Sequence, residues 1–161
     1  MNPENARGIA RELLLRGSSE SSPVYFHGYS MEPFLTEGDL MIVDPVAWEE
    51  IRRGDIITYR HQDKFPTRRV VGIGKGTLDF WCENWPTRRF RAARHDVLGR
   101  AVARRRNGHW IRSDGPEWTG ARRGALREYR RRQRAGLLRR AGRKAILRLL
   151  PRRWQRGRDG I

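Results

Sequence analysis

The sequence predicts a mainly β domain, preceded by a short helix and followed by a basic helical tail. Three observations lead there. Between Val24 and Arg112 short β-rich runs recur, separated by Gly-Asp and Gly-Pro punctuation. Residues 5–15, NARGIARELLL, carry Ala6, Ile9, Ala10 and Leu13 at helical spacing. Residues 121–150 carry Leu126, Tyr129, Leu137, Leu138, Ala141, Ala145 and Leu149 among dense arginines. The expected organisation is a helix and linker over 1–22, a β domain over 23–115 and a helical tail over 116–161.

In chain order, Gly17, Ser18, Ser19, Ser21, Ser22 and Pro23 read as linker or turn. The strand candidates are then VYFHG, DLMIVDP, DIITYR, RRVVGIG, TLDFWCE, DVLGRAVARR and HWIRS. This many short strands at such spacing argues for a sandwich or barrel-like domain. Gly38-Asp39 and Gly54-Asp55 each precede a strand and read first as turns, since Gly permits positive φ and Asp bonds its own turn. Pro116 and Gly120 should close the β region, and Pro151 should stop the tail helix, which Gly124, Gly136 and Gly142 weaken.

Charge is unevenly spread. The net charge is +17 over 161 residues. Residues 1–121 contribute +3 and residues 122–161 contribute +14. The body is therefore ordinary and the tail polycationic, so the charge speaks of the tail's partner. No run of about 18 apolar residues predicts a membrane span, and the N-terminal stretch lacks a secretory apolar core. Together with the single cysteine, Cys82, this suggests a reducing, cytoplasmic setting. Cys82 reads as a small buried side chain. Four scattered histidines and one cysteine give no metal-ligand spacing, and no cofactor is expected. Most of the six tryptophans read as core or edge residues.

The informative stretch is residues 27–60, HGYSMEPFLTEGDLMIVDPVAWEEIRRGDIITYR. Ser30 lies between a short strand and the turn Met31-Glu32-Pro33. Pro33 fixes its own φ and lacks an N–H, so the backbone there is rigid and not mid-strand. A serine on a rigid turn can be presented to a cleft, with neighbouring N–H groups available to an oxyanion. Most serines in such turns are structural, and the wider pattern decides. Gly28-Xaa-Ser30-Met31-Xaa-Pro33, then Gly38-Asp39, a hydrophobic strand and Gly54-Asp55-Ile56-Ile57 resembles the LexA-like and signal peptidase I-like serine peptidases. The similarity continues through Arg69-Val70-Val71 and Asp96-Val97-Leu98-Gly99-Arg100-Ala101-Val102, covering roughly residues 24–105.

The resemblance implies a LexA/signal peptidase-like β domain with Ser30 as nucleophile and peptide or protein as substrate. It also implies Met31, Pro33 and Phe34 along the cleft, although core packing explains Phe34 equally well. One departure concerns the base. The family has Lys or His immediately before the Arg of the base strand, and this chain has Arg68, which effectively never deprotonates. Lys64 is a possible substitute, four residues earlier, but Pro66 interrupts the strand between them. His27, His61 and His95 are weaker substitutes. A second departure is Trp81-Cys82-Glu83-Asn84, where the His-type branch has Gly-Asp-Asn with Asp as third catalytic group. Glu83 is a tentative stand-in, or it simply pairs with a nearby arginine such as Arg88.

Three functions follow: a signal peptidase I-like endopeptidase acting through Ser30, a non-catalytic peptide- or partner-binding module on the same fold, and a binder of polyanions through the tail. Too little chain precedes Ser30 for a helix-turn-helix, which disfavours a LexA-like transcription factor. The lack of a preceding span disfavours signal peptidase proper. For residues 122–158 the leucines favour an anionic membrane surface over nucleic acid, which places the chain in the cytoplasm with a peripheral membrane association.

Overall fold

The computed structural model describes residues 21–84 and 89–149. The helix expected over 5–15, Trp85, Arg88 and the end of the tail lie outside them. Eight strands form one antiparallel sheet: β1 (Ser22–Tyr25), β2 (Leu40–Asp44), β3 (Ile56–Tyr59), β4 (Thr67–Ile73), β5 (Thr77–Trp81), β6 (Arg89–Ala93), β7 (Val97–Arg106) and β8 (His109–Arg112). The order is β1-β2-β7-β3-β4-β5-β6, with β8 also pairing β7. One helix, α1 (Pro116–Leu149), follows. The mainly β reading of the sequence holds.

The sheet buries both faces. In β3 all four residues are buried, and successive side chains point to opposite sides. Ile56 joins a core of Phe26, Met31, Phe34, Leu35, Met41, Val43, Ala101 and Trp118. Its neighbour Ile57 joins a second core with Ile51, Tyr59, Val70, Leu78, Phe80 and Ala92. The ring of Tyr59 stacks on Phe80 with centroids 4.5 Å apart. Small residues let β7 approach β2: a Cβ on Gly99 would meet the Asp44 carbonyl oxygen at 2.5 Å.

Two differences from the sequence reading stand out. Strand β6 was not expected. Only Phe90 and Ala92 alternate inward among Arg89, Arg91 and the neighbouring basic residues, so the run reads as polar. Helix α1 also begins at Pro116 rather than near residue 121. Proline is at home at a helix's first position, where its missing N–H bonds nothing, and Thr119 N–H reaches the Gly115 carbonyl at 3.1 Å. The early turns belong to the body: Trp118 is 3% exposed and Ala125 9%. The chain divides into two compact units after Leu126.

The two Gly-Asp pairs build the same turn. Asp39 Oδ2 accepts from Thr36 N–H at 3.0 Å, and Asp55 Oδ2 accepts from Arg52 N–H at 2.9 Å. Gly38 and Gly54 between them hold φ of +84° and +92°. Their surroundings differ. A Cβ on Gly38 would meet nothing within 4 Å, whereas one on Gly54 would strike Arg122 Cγ at 2.6 Å. Arg122 lies over this turn and donates to the Arg53 carbonyl through Nη2 at 2.7 Å. Gly38→Ala should therefore cost about 1–2 kcal/mol from backbone strain alone. Gly54→Ala should cost about 1 kcal/mol more by displacing Arg122. Urea unfolding of the two variants measures the gap, and equal losses would mean that the Arg122 contact contributes nothing.

Asp39 is also the most heavily bonded carboxylate of the first turn. Burial tends to raise its pKa. The Arg106 hydrogen bond, the Thr36 N–H and the charges of Arg106 and Arg104 outweigh this, so it lies below its ordinary value of 3.8. A depressed carboxylate stabilises the fold above its unfolded pKa and loses that contribution as pH falls through the folded one. Asp39→Asn should therefore lower the Tm at pH 7, and the difference from wild type should shrink below pH 4. A Tm difference unchanged from pH 7 to pH 3 would contradict this.

Candidate functional site

Ser30 sits on the turn that joins β1 to β2. After β1, Phe26 N–H donates to the Asp39 carbonyl at 2.8 Å, and Gly38 N–H donates to the Phe26 carbonyl at 2.9 Å. Inside that frame Glu37 accepts from His27 Nδ1 at 2.8 Å and from Gly28 N–H. His27 is thereby held by a carboxylate. The Leu35 N–H reaches the Met31 carbonyl at 2.9 Å, one turn of helical winding. That winding sends Met31, Phe34 and Leu35 to one side, because residues three and four apart share a face.

Of the three residues expected along the cleft, Met31 is 0% exposed and Phe34 8%, both in the core, while Pro33 is exposed. Phe34 meets Trp118 edge-on at 4.9 Å. The guanidinium groups of Arg104 and Arg69 lie 5.0 and 5.3 Å from its ring centroid. Ser30 itself is half-buried. Its hydroxyl makes no hydrogen bond among the described residues, and neither do the backbone N–H groups of Ser30 and Met31. The Ser30 carbonyl accepts from Asn84 N–H at 3.4 Å, which brings the segment after β5 beside the turn.

That segment carries Cys82 and Glu83 and faces β4. Arg68, opposite Ile57 on β3, occupies the position the sequence comparison assigns to the base. Its guanidinium lies 3.8 Å from the Phe90 ring centroid. It donates to Cys82 Sγ and to the Tyr59 hydroxyl. Burial lifts the Tyr59 phenol above its ordinary value, against the pull of Arg68. Arg68 Nε is buried without a hydrogen-bond partner among the described residues. Arg68 is thus packed as a structural cation, and a guanidinium, which has no free lone pair to accept with, cannot take a proton from a serine at neutral pH.

Arg69 is 0% exposed, the largest fully buried side chain of the described residues. Its Nε donates to Glu83 Oε1 at 2.5 Å and its Nη1 to the Gly54 carbonyl at 2.9 Å. Burial pushes the Glu83 carboxyl up, and the Arg69 charge and hydrogen bond pull it back only in part. Glu83 is therefore committed to Arg69. Lys64 lies at the tip of the β3–β4 hairpin, exposed, with its backbone paired to His61 and outside strand β4. His61 is also exposed at that tip, and the His95 side chain is 79% exposed beside Asp96. An open cavity of about 600 Å³ is bordered by Tyr25, Glu37, Asp39 and Arg106.

The Ser30 turn thus meets Asn84, and the two residues before Asn84 in the chain, Glu83 and Cys82, bond Arg69 and Arg68 of β4. Arg69, Tyr59 and Phe90 stand at the site without a functional motif of their own in the sequence. The one available signal was an arginine, Arg69, inside a Val-rich strand, where an isolated charge demands a partner.

A serine on a tight turn, a strand carrying the base position and a closing strand β7 at the sheet's centre define a peptidase-type β domain. Residues 8–102 match the Peptidase S24-like family model, and the chain belongs to that family. A comparison with curated proteins finds no match. No helix among the described residues is long and apolar enough to cross a membrane.

Proposed function

We propose that this chain engages peptide or protein segments at the Ser30 turn with its hydrolytic step disabled, a pseudoenzyme of its family. One observation carries the reading: the base position holds Arg68, and that guanidinium is engaged by Tyr59, Cys82 and Phe90. Without a general base the serine hydroxyl remains protonated and a poor nucleophile. The N–H groups of Ser30 and Met31 can still bind a peptide carbonyl, so binding outlives chemistry. A serine-directed phosphonylating probe, read by intact mass, tests this. The wild-type chain should stay unmodified, and rapid stoichiometric labelling of Ser30 would overturn the proposal.

A second reading is a signal peptidase I-like endopeptidase that obtains its base elsewhere. The half-buried Ser30, whose hydroxyl and two neighbouring N–H groups are unengaged among the described residues, favours it. Probe labelling abolished by Lys64→Ala would establish that version.

A further inference from the structure

The helix beyond Leu126 belongs to the second compact unit, and its construction calls for its own ligand. Residues 127–149 are continuously helical despite Gly136 and Gly142. They carry Arg127, Arg130, Arg131, Arg132, Arg134, Arg139, Arg140, Arg143, Lys144 and Arg148 against a single acid, Glu128. Glu128 accepts from Arg131 Nε at 2.8 Å and also from Arg132. Those two hydrogen bonds, first of all, hold its pKa down at about 2. Arg127, Arg130 and Arg134 are exposed and have no acidic partner among the described residues. Like charges three and four residues apart destabilise a free helix, so this one needs a polyanion.

The helical register says which polyanion. At 3.6 residues per turn, positions 127, 130, 131 and 134 share one face, and positions 132, 139 and 143 share the opposite one. The apolar positions do not segregate either: 137, 138, 146 and 147 are spread around the axis. Leu137 is 64% exposed. A membrane surface meets one side of a helix and requires apolar and cationic faces to be separate. A duplex groove puts phosphates on both flanks of a helix and accepts cations all round.

Dimensions agree: 23 residues at about 1.5 Å each span roughly 34 Å, about one turn of B-form DNA. A helix roughly 10–12 Å across fits a major groove about 12 Å wide, whereas the deep, narrow groove of A-form RNA excludes it. All but one of the ten cations are arginine, the residue that grips phosphate in a bidentate way. We infer that residues 127–149 form a basic recognition helix that lies in the major groove of duplex DNA. Register here outweighs the leucine content that favours a membrane surface in the sequence.

Anisotropy titration of a labelled duplex DNA of about 20 base pairs with the full chain tests this. Binding should weaken about 10³-fold or more between 50 and 200 mM salt, as expected for six or more neutralised phosphates. The variant Arg127→Gln/Arg130→Gln/Arg131→Gln/Arg134→Gln should bind at least 10-fold more weakly. Ala135→Pro preserves every charge but breaks the helix and should also lose at least 10-fold. Circular dichroism should show helicity rising with DNA in the wild type only. Several results would overturn the inference: Ala135→Pro binding like wild type, equal affinity for duplex RNA, or retention on anionic-lipid vesicles without DNA binding. None of these outcomes bears on Ser30, so this test and the probe-labelling test fail independently.

Discussion

Arg68→Lys should raise the rate at which a serine-directed probe modifies Ser30 by about 10²–10⁴-fold, the range a positioned general base contributes. The reason lies in what surrounds the position. The site is walled by Tyr59, Phe90 and Cys82, of which Tyr59 and Cys82 are buried. An ammonium placed there loses hydration, and Arg69 on the next residue adds like charge. Both effects favour the neutral amine that can accept a proton. The guanidinium of the wild type, with its charge delocalised over its own three nitrogens, lies over the Phe90 face and stays cationic. Arg68→His should raise labelling too, with an apparent pKa nearer neutrality. Ser30→Ala in either background must abolish the signal. If both variants fold with wild-type Tm and neither is labelled faster, the Ser30 turn has lost more than its base, and the disabled-peptidase proposal fails in its present form.

Much of this architecture was legible because its signals are local. Each Gly-Asp pair announces a turn that the Asp side chain closes within three residues, as Asp39 and Asp55 do. Short β-rich runs set off by turn residues mark β2, β3 and β7. Strand β6 was illegible because its inward residues are only Phe90 and Ala92, and the cation–π contact that anchors Phe90 comes from Arg68, more than twenty residues away. The start of α1 is hard to read because Pro116 and Gly120 both mark the end of the β region. Only the burial of Trp118 shows that it opens the helix.

At the site, Ser30 and the base position were readable from local motif and spacing. The Arg69–Glu83 pair was not. Its partners are 14 residues apart and meet only through the pairing of β4 with β5, where Arg69 lies opposite Trp81. A sequence shows the charges but not which of the many arginines answers a given glutamate.

That pair carries the largest stability prediction. Arg69→Met should destabilise the domain by about 3–5 kcal/mol at pH 7, the cost of leaving one member of a buried ion pair uncompensated. Three contacts disappear together: the bond to Glu83, the bond to the Gly54 carbonyl and the approach to Phe34. Glu83 would keep the burial that already raises its pKa and lose the cation that opposes it. Its folded pKa should then rise further above the ordinary value of 4.5. A group with a raised folded pKa destabilises above that pKa and is relieved as pH falls toward the unfolded one. The deficit of Arg69→Met should therefore be largest near neutrality and shrink on acidification, opposite to the acid sensitivity that Asp39 imposes on the wild type. Glu83→Leu added to Arg69→Met should recover most of the loss, since a buried pair can often be replaced by apolar groups at little cost. Urea unfolding at pH 7 and pH 5 measures all three. Asn84, next to Glu83, donates to the Ser30 carbonyl, so the single variant should also loosen the Ser30 turn and speed its amide exchange. A loss below about 1 kcal/mol that does not change with pH would mean that Arg69 and Glu83 contribute packing alone.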